Sequence, residues 1–129
     1  MFDWKKFILL GEMLYDIKTE ESIRTAISRL YYGLFGIVRR YLINVKHKYY
    51  LKEKDATIHK RVSIELKHSK DSTERELSEI LNILRVFRNH ADYDEEYGEQ
   101  FFVEFLFENK KDIEIAIDIV NYFKNHPNY

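Results

Sequence analysis

The sequence predicts an all-α protein, a four- to five-helix up-and-down bundle formed by residues 1–129 as a single domain. Three observations carry this. Apolar residues recur at three- and four-residue spacing almost throughout. The apolar/polar alternation of half-buried strands is missing. One proline and four glycines leave no stretch able to serve as an interdomain linker. With 45% hydrophobic and 16% aromatic residues, a chain this long can bury a core without disulfides or a structural metal, and it has no cysteine.

Each helix has its own signals. Asp3 precedes a segment to about Ile17 in which Trp4, Phe7, Ile8, Leu10, Gly11 and Leu14 are expected on one broad face. Thr19, followed by Glu20 and Glu21, reads as an N-cap with acids in the positive first turn of a long second helix. Its stripe runs Ile23, Ala26, Ile27, Leu30, Leu34, Ile37, Val38, Tyr41, widened by Tyr31, Phe35 and Leu42. An arc that wide marks the central member of a bundle. Residues 45–54, VKHKYYLKEK, lose the period and read as a connecting loop. A third helix begins near Asp55 to Thr57 and carries Ile58, Val62, Ile64 and Leu66 to about His68, with Thr57 and His59 as a cap. Asp71, with Glu74 three residues on, resembles a capping box opening a fourth helix whose stripe is Leu77, Ile80, Leu81, Leu84, Ala91. After the acidic DYDEEYGEQ, a fifth helix runs from Phe101 or Phe102 to Lys124, and Pro127 closes the chain.

The net charge of −1 hides two poles. Arg39 to Lys70 holds ten Lys/Arg against three acids, and Asp92 to Asp118 holds ten acids against two lysines. Such a field attracts a polyanion at one end or favours head-to-tail pairing, or else reflects two solvated faces. No signal peptide or bilayer-spanning run is legible, so a cytoplasmic protein without membrane partners is expected.

The chemistry concentrates in RVFRNHADYD, residues 85–94. At 100° per residue Arg88 falls within the stripe of Leu77, Leu81 and Leu84, with Arg85, Asn89 and Asp92 on its flank. A guanidinium aimed inward requires a partner, either a carboxylate such as Asp92 that pins two helices or a phosphate from outside. His90, beside two arginines and an amide, suits proton transfer or offsets the helix dipole. Arg24, Ser28, Tyr31 and Phe35 share one edge of the second helix, open to a buried polar network or a ligand. No glycine-rich phosphate loop, CxxC, HExxH or nucleophile elbow occurs, and His47, His59, His68 and His126 lack the carboxylate spacing of a metal site. No cofactor or metal is expected.

Together these segments resemble the HEPN family (higher eukaryotes and prokaryotes nucleotide-binding). ISRLYYGLFGIVRRYL at 27–42, with Arg24 upstream, resembles its second helix, ATIHKRV at 56–62 its Thr-x-His turn, and RNHADYD at 88–94 its Arg-x-x-Ala-Asp-Tyr signature. The resemblance spans about residues 20–123. It implies a homodimer with the fourth-helix motifs of both copies facing a shared cleft, of toxin–antitoxin or defence type. Many relatives are metal-independent endoribonucleases acting through an arginine, a polar neighbour and a following histidine; others serve as partners of a minimal nucleotidyltransferase. Arg88-Asn89 matches the arginine and its neighbour, while His90 stands five positions after Arg85. The implied catalytic set is Arg88, Asn89, His90 and Arg85. RNA or nucleotide contacts fall to Arg24, Tyr31, Tyr93, Lys46, Lys48 and Tyr49, with Tyr93 or Tyr97 as nucleotidyl acceptor. Two outcomes stay open, an endoribonuclease for single-stranded RNA and a non-catalytic nucleotide-binding or nucleotidyltransferase-partner module.

Overall fold

The structure, a computed structural model, describes residues 1–126; Pro127 lies outside them. Among the described residues the chain is five α-helices and one short 3-10 turn, with no strand. They are α1 (Lys5–Ile17), α2 (Glu20–Asn44), the turn Tyr49–Lys52, α3 (Ile58–Lys67), α4 (Ser72–Tyr93) and α5 (Glu99–Asn125). None is long and apolar enough to cross a membrane.

α2 is the central member, packed against α1, α4, α5 and the 3-10 turn. Its start is fixed by a reciprocal capping box: Thr19 Oγ1 accepts from Ser22 N at 3.2 Å, and Ser22 Oγ accepts from Thr19 N at 3.1 Å. Its wide arc is buried as expected, with Ile23, Ala26, Ile27, Leu34, Val38 and Tyr41 nearly inaccessible. Lys18, left-handed at φ 63°, turns the chain back so that α1 lies antiparallel on α2.

That contact is close because glycines line it. A Cβ on Gly36 would stand 2.1 Å from the Trp4 ring, and one on Gly33 would stand 3.1 Å from the backbone nitrogen of Ile8. Leu10, expected on this face, is largely exposed instead. It lies about 160° around the helix from Ile8, beyond the arc that α2 covers.

Segment 45–57 is more than a loop. Its 3-10 turn drops Leu51 fully into the core, and Arg39 Nε donates to the Leu51 carbonyl at 2.8 Å. The chain then doubles back, so α3 runs in the same sense as α2, while α3–α4 and α4–α5 alternate direction. Within α3, Ile58, Val62 and Leu66 are buried and Ile64 is exposed, two positions off their stripe. Thr57 makes no side-chain cap; Asp55 accepts from its backbone nitrogen instead.

Asp71 caps α4 by accepting from Thr73 N at 2.8 Å, but Glu74 does not close a capping box. The Glu74 carboxylate is buried and taken by longer-range partners, Tyr41 Oη at 3.1 Å and Lys46 Nζ at 2.9 Å. Burial and the neighbouring Glu74 charge push the Tyr41 hydroxyl far above the usual phenol range, so it stays a donor. α5 begins at Glu99, two to three residues before the expected start, after an extended Gly98.

Gly36→Ala is expected to drive the Trp4 ring off α2 and to destabilise the protein by about 1–3 kcal/mol, a strain of the overpacking kind. Thermal unfolding checks this. A melting temperature within a degree of the parent would show that the α1–α2 contact has slack.

Candidate functional site

Arg85 and Arg88 lie about 60° apart on α4, one turn from each other, so both reach the same side of the helix. That side faces α2 and the start of α3. Arg88 is 9% exposed, its guanidinium carbon 5.3 Å from the ring centroids of both Tyr31 and Tyr32. Stacking on two aromatic faces suits a guanidinium better than an ammonium. The carboxylate paired with it is Asp92, one turn on, at 3.8 Å, beyond hydrogen-bond range. The Nε atoms of both Arg85 and Arg88 are buried without a hydrogen-bond partner.

α3 adds His59. Its Nδ1 shares a 2.5 Å hydrogen bond with the Tyr31 hydroxyl, and its ring stacks on Phe35 at 4.3 Å between centroids. Burial, then the charges of Arg85, Arg88 and Arg39, push the His59 imidazole down to about 4. Burial likewise lifts the Tyr31 hydroxyl to about 12, against the opposing pull of Arg85 and Arg88. At neutral pH both groups are uncharged, and the positive charge of the cluster resides on the arginines alone.

The remaining expected site residues lie elsewhere. His90 is two residues from Arg88, about 200° around the helix, and faces α5. Its ring packs on Tyr97 at 4.7 Å, and its Nδ1 is hydrogen-bonded to Asp94. Within one chain it does not join the arginine pair, although sequence adjacency grouped them. Asn89 is exposed, and so is Tyr93, at 74%. Arg24 is committed to backbone: it donates to the carbonyls of Ala91 (2.9 Å), His90 (3.3 Å) and Tyr97, and its guanidinium covers the Phe102 ring. It therefore caps α4 and ties down the acidic loop.

Lys46, Lys48 and Tyr49 lie past the far end of α2, about 20 Å along its axis from Tyr31. Lys46 pairs with Glu74, Lys48 with Glu65 at 3.6 Å, and exposed Tyr49 with His47 at 2.8 Å. They form a separate group. Tyr32 was missed as a site residue. Its signal was the Tyr31-Tyr32 pair, which presents two adjacent ring faces from one helix edge.

No family model matches the chain, and neither the curated proteins nor the solved structures yield a match.

The His59 shift has a signed consequence. Between pH 6.5 and about 4 the unfolded chain takes up a proton that the folded chain refuses, so stability falls as the pH drops through that window and is fully present above it. A His59→Asn variant is expected to lose that part of the pH dependence in thermal melts. In the parent, an NMR titration is expected to place the His59 midpoint near 4. A midpoint near 6.5 would mean that the ring is neither buried between α2 and α3 nor reached by the arginine charges.

Proposed function

We propose that this chain is a HEPN-type RNA-binding protein of the toxin–antitoxin or defence kind, working as a homodimer whose two Arg85–Arg88 faces line one cleft. The observation that carries the reading is Arg88, nine-tenths buried, its Nε without an acceptor and its nearby carboxylate too far to hydrogen-bond. A buried cation that cannot shed its proton is expected to be met by an anion, and phosphate matches the planar guanidinium fork. Beside the guanidinium, half-buried Tyr32 is the ring with area left for an unpaired base to stack on, which favours single-stranded RNA over duplex. Phosphate contacts of this sort make affinity fall with salt.

A second reading, metal-independent cleavage, is favoured by the His90–Asp94 pair. The carboxylate holds Nδ1 and leaves Nε2 as the nitrogen to receive the ribose 2′-hydroxyl proton. The 2′-oxygen then attacks the adjacent phosphorus and expels the 5′-oxygen, which takes a proton from water, leaving a 2′,3′-cyclic phosphate and a 5′-hydroxyl. His90 and the arginines lie on nearly opposite sides of α4 in one chain, so this reading requires a second copy to bring its Arg85 and Arg88 to the phosphate that His90 addresses; there they stabilise the charge on the phosphoryl oxygens, and Asn89 orients the strand.

Fluorescence anisotropy with a labelled single-stranded RNA tests the binding. Arg88→Met is expected to weaken it at least tenfold while leaving the melting temperature unchanged or higher, because an apolar side chain of similar length removes a poorly satisfied buried charge. Equal binding by parent and variant would remove Arg88 from the interface. A large loss of stability would make Arg88 a structural pin.

Cleavage is tested apart from binding, by incubating the protein with mixed RNA in EDTA. If it cleaves, His90→Ala is expected to stop the reaction and to retain binding. RNA left intact at all protein concentrations would refute cleavage and leave the binding reading standing.

A further inference from the structure

α1 is apolar on two opposite sides, and α2 covers one of them. Ile8 and Gly11 are buried against α2, with Trp4 and Phe7 partly covered. On the far side Leu9, Met13 and Ile17 repeat at four-residue spacing, with Leu10 beside them. They are 58%, 66%, 60% and 40% exposed. An isolated exposed leucine is ordinary, but a continuous stripe along three turns is a docking face.

The charges around the stripe indicate what covers it. The first turn of α1 carries Lys5 and Lys6, and its last turn carries Asp16 with no basic residue. Each opposes the field of its own helix, which favours acids at the start and bases at the end. Just beyond the stripe stand exposed Glu20 and Glu21 of α2, Glu20 only loosely paired to Arg24 at 3.9 Å. With Asp3 counted at the first end and Lys18 at the second, one end of the face is still net positive and the other net negative. A face of that kind is complementary to itself when turned through 180°.

We infer that the α1 stripe pairs with the α1 stripe of a second copy, antiparallel and centred on Met13. In that register Leu9 of one copy meets Ile17 of the other, and the two Met13 side chains meet on the two-fold axis. The lysine end of each copy then lies toward the acidic end of the other. The antiparallel neighbour also brings each misplaced terminal charge beside a helix end of favourable sign. This surface lies on α1, whereas Arg85 and Arg88 lie on α4, so the pairing does not depend on the RNA reading. If the arginine faces pair as well, two isologous contacts on one chain build a closed tetramer when their two-fold axes cross at right angles.

Sedimentation velocity of the full chain tests the pairing. Met13→Glu, at an exposed position, is expected to weaken self-association at least tenfold and to halve the mass, from tetramer to dimer or from dimer to monomer. Lys5→Glu/Lys6→Glu and Glu20→Lys/Glu21→Lys are each expected to weaken it alone, and an equal mixture of the two variants is expected to regain the parental mass. Because the chain has no cysteine, Met13→Cys is expected to give a disulfide-linked dimer on mild oxidation, and Lys60→Cys is not. A mass unchanged by Met13→Glu, a parent that is monomeric at all concentrations, or a mixture that fails to reassociate would each overturn the inference.

Discussion

Two charges lie buried on one seam of α4, and the structure treats them differently. Glu74 and Arg88 occupy the same stripe as Leu77, Leu81 and Leu84, about 21 Å apart along the helix. At the Glu74 end the carboxylate meets a hydroxyl and an ammonium at hydrogen-bond distance, which closes the bundle where α2, α4 and the start of the connecting segment meet. At the Arg88 end the guanidinium meets two ring faces and a carboxylate that stays out of reach. The first pair is complete within the chain. The second is a cation held in a low-dielectric place with coordination left over, where an external anion gains more than it would at an open surface.

The site depends on the doubling-back of segment 45–57. Without Leu51 anchored in the core and Arg39 holding its carbonyl, α3 would have no reason to start beside Tyr31. His59 would then not meet the Tyr31 hydroxyl, and the arginines would lack their third wall. The neutral state of His59 is a measure of that assembly, since it records burial by α2 and the charges of α4 in a single group.

What could be read from the sequence follows the range of the interaction. The central role of α2, the cap at Thr19 and the inward aim of Arg88 follow from periodicity and local capping, and these are visible in a window of a few turns. Glu74 was misread because its partners come from residues far away in the chain. Leu51 was invisible because one apolar residue among lysines has no period. His90 illustrates a different failure: neighbours in sequence are on nearly opposite sides of a helix when two residues apart, so a chemically suggestive run was split between α2 and α5. Lys46 and Lys48 were grouped with the site by charge and Tyr49 by its stacking face, whereas length along α2 separates them.

Arg24 holds the carbonyls that end α4 and the carbonyl of Tyr97, so the acidic residues after Ala91 are fixed in place rather than trailing. They stand just past the arginine pair, while Lys46, Lys48, Lys67 and Lys70 lie toward the opposite end of the bundle. A long polyanion approaching the arginine face is therefore repelled at one margin and drawn along the other. The electric field of the bundle is thus graded along its length, with a fixed acidic margin at one end and most of the lysines at the other.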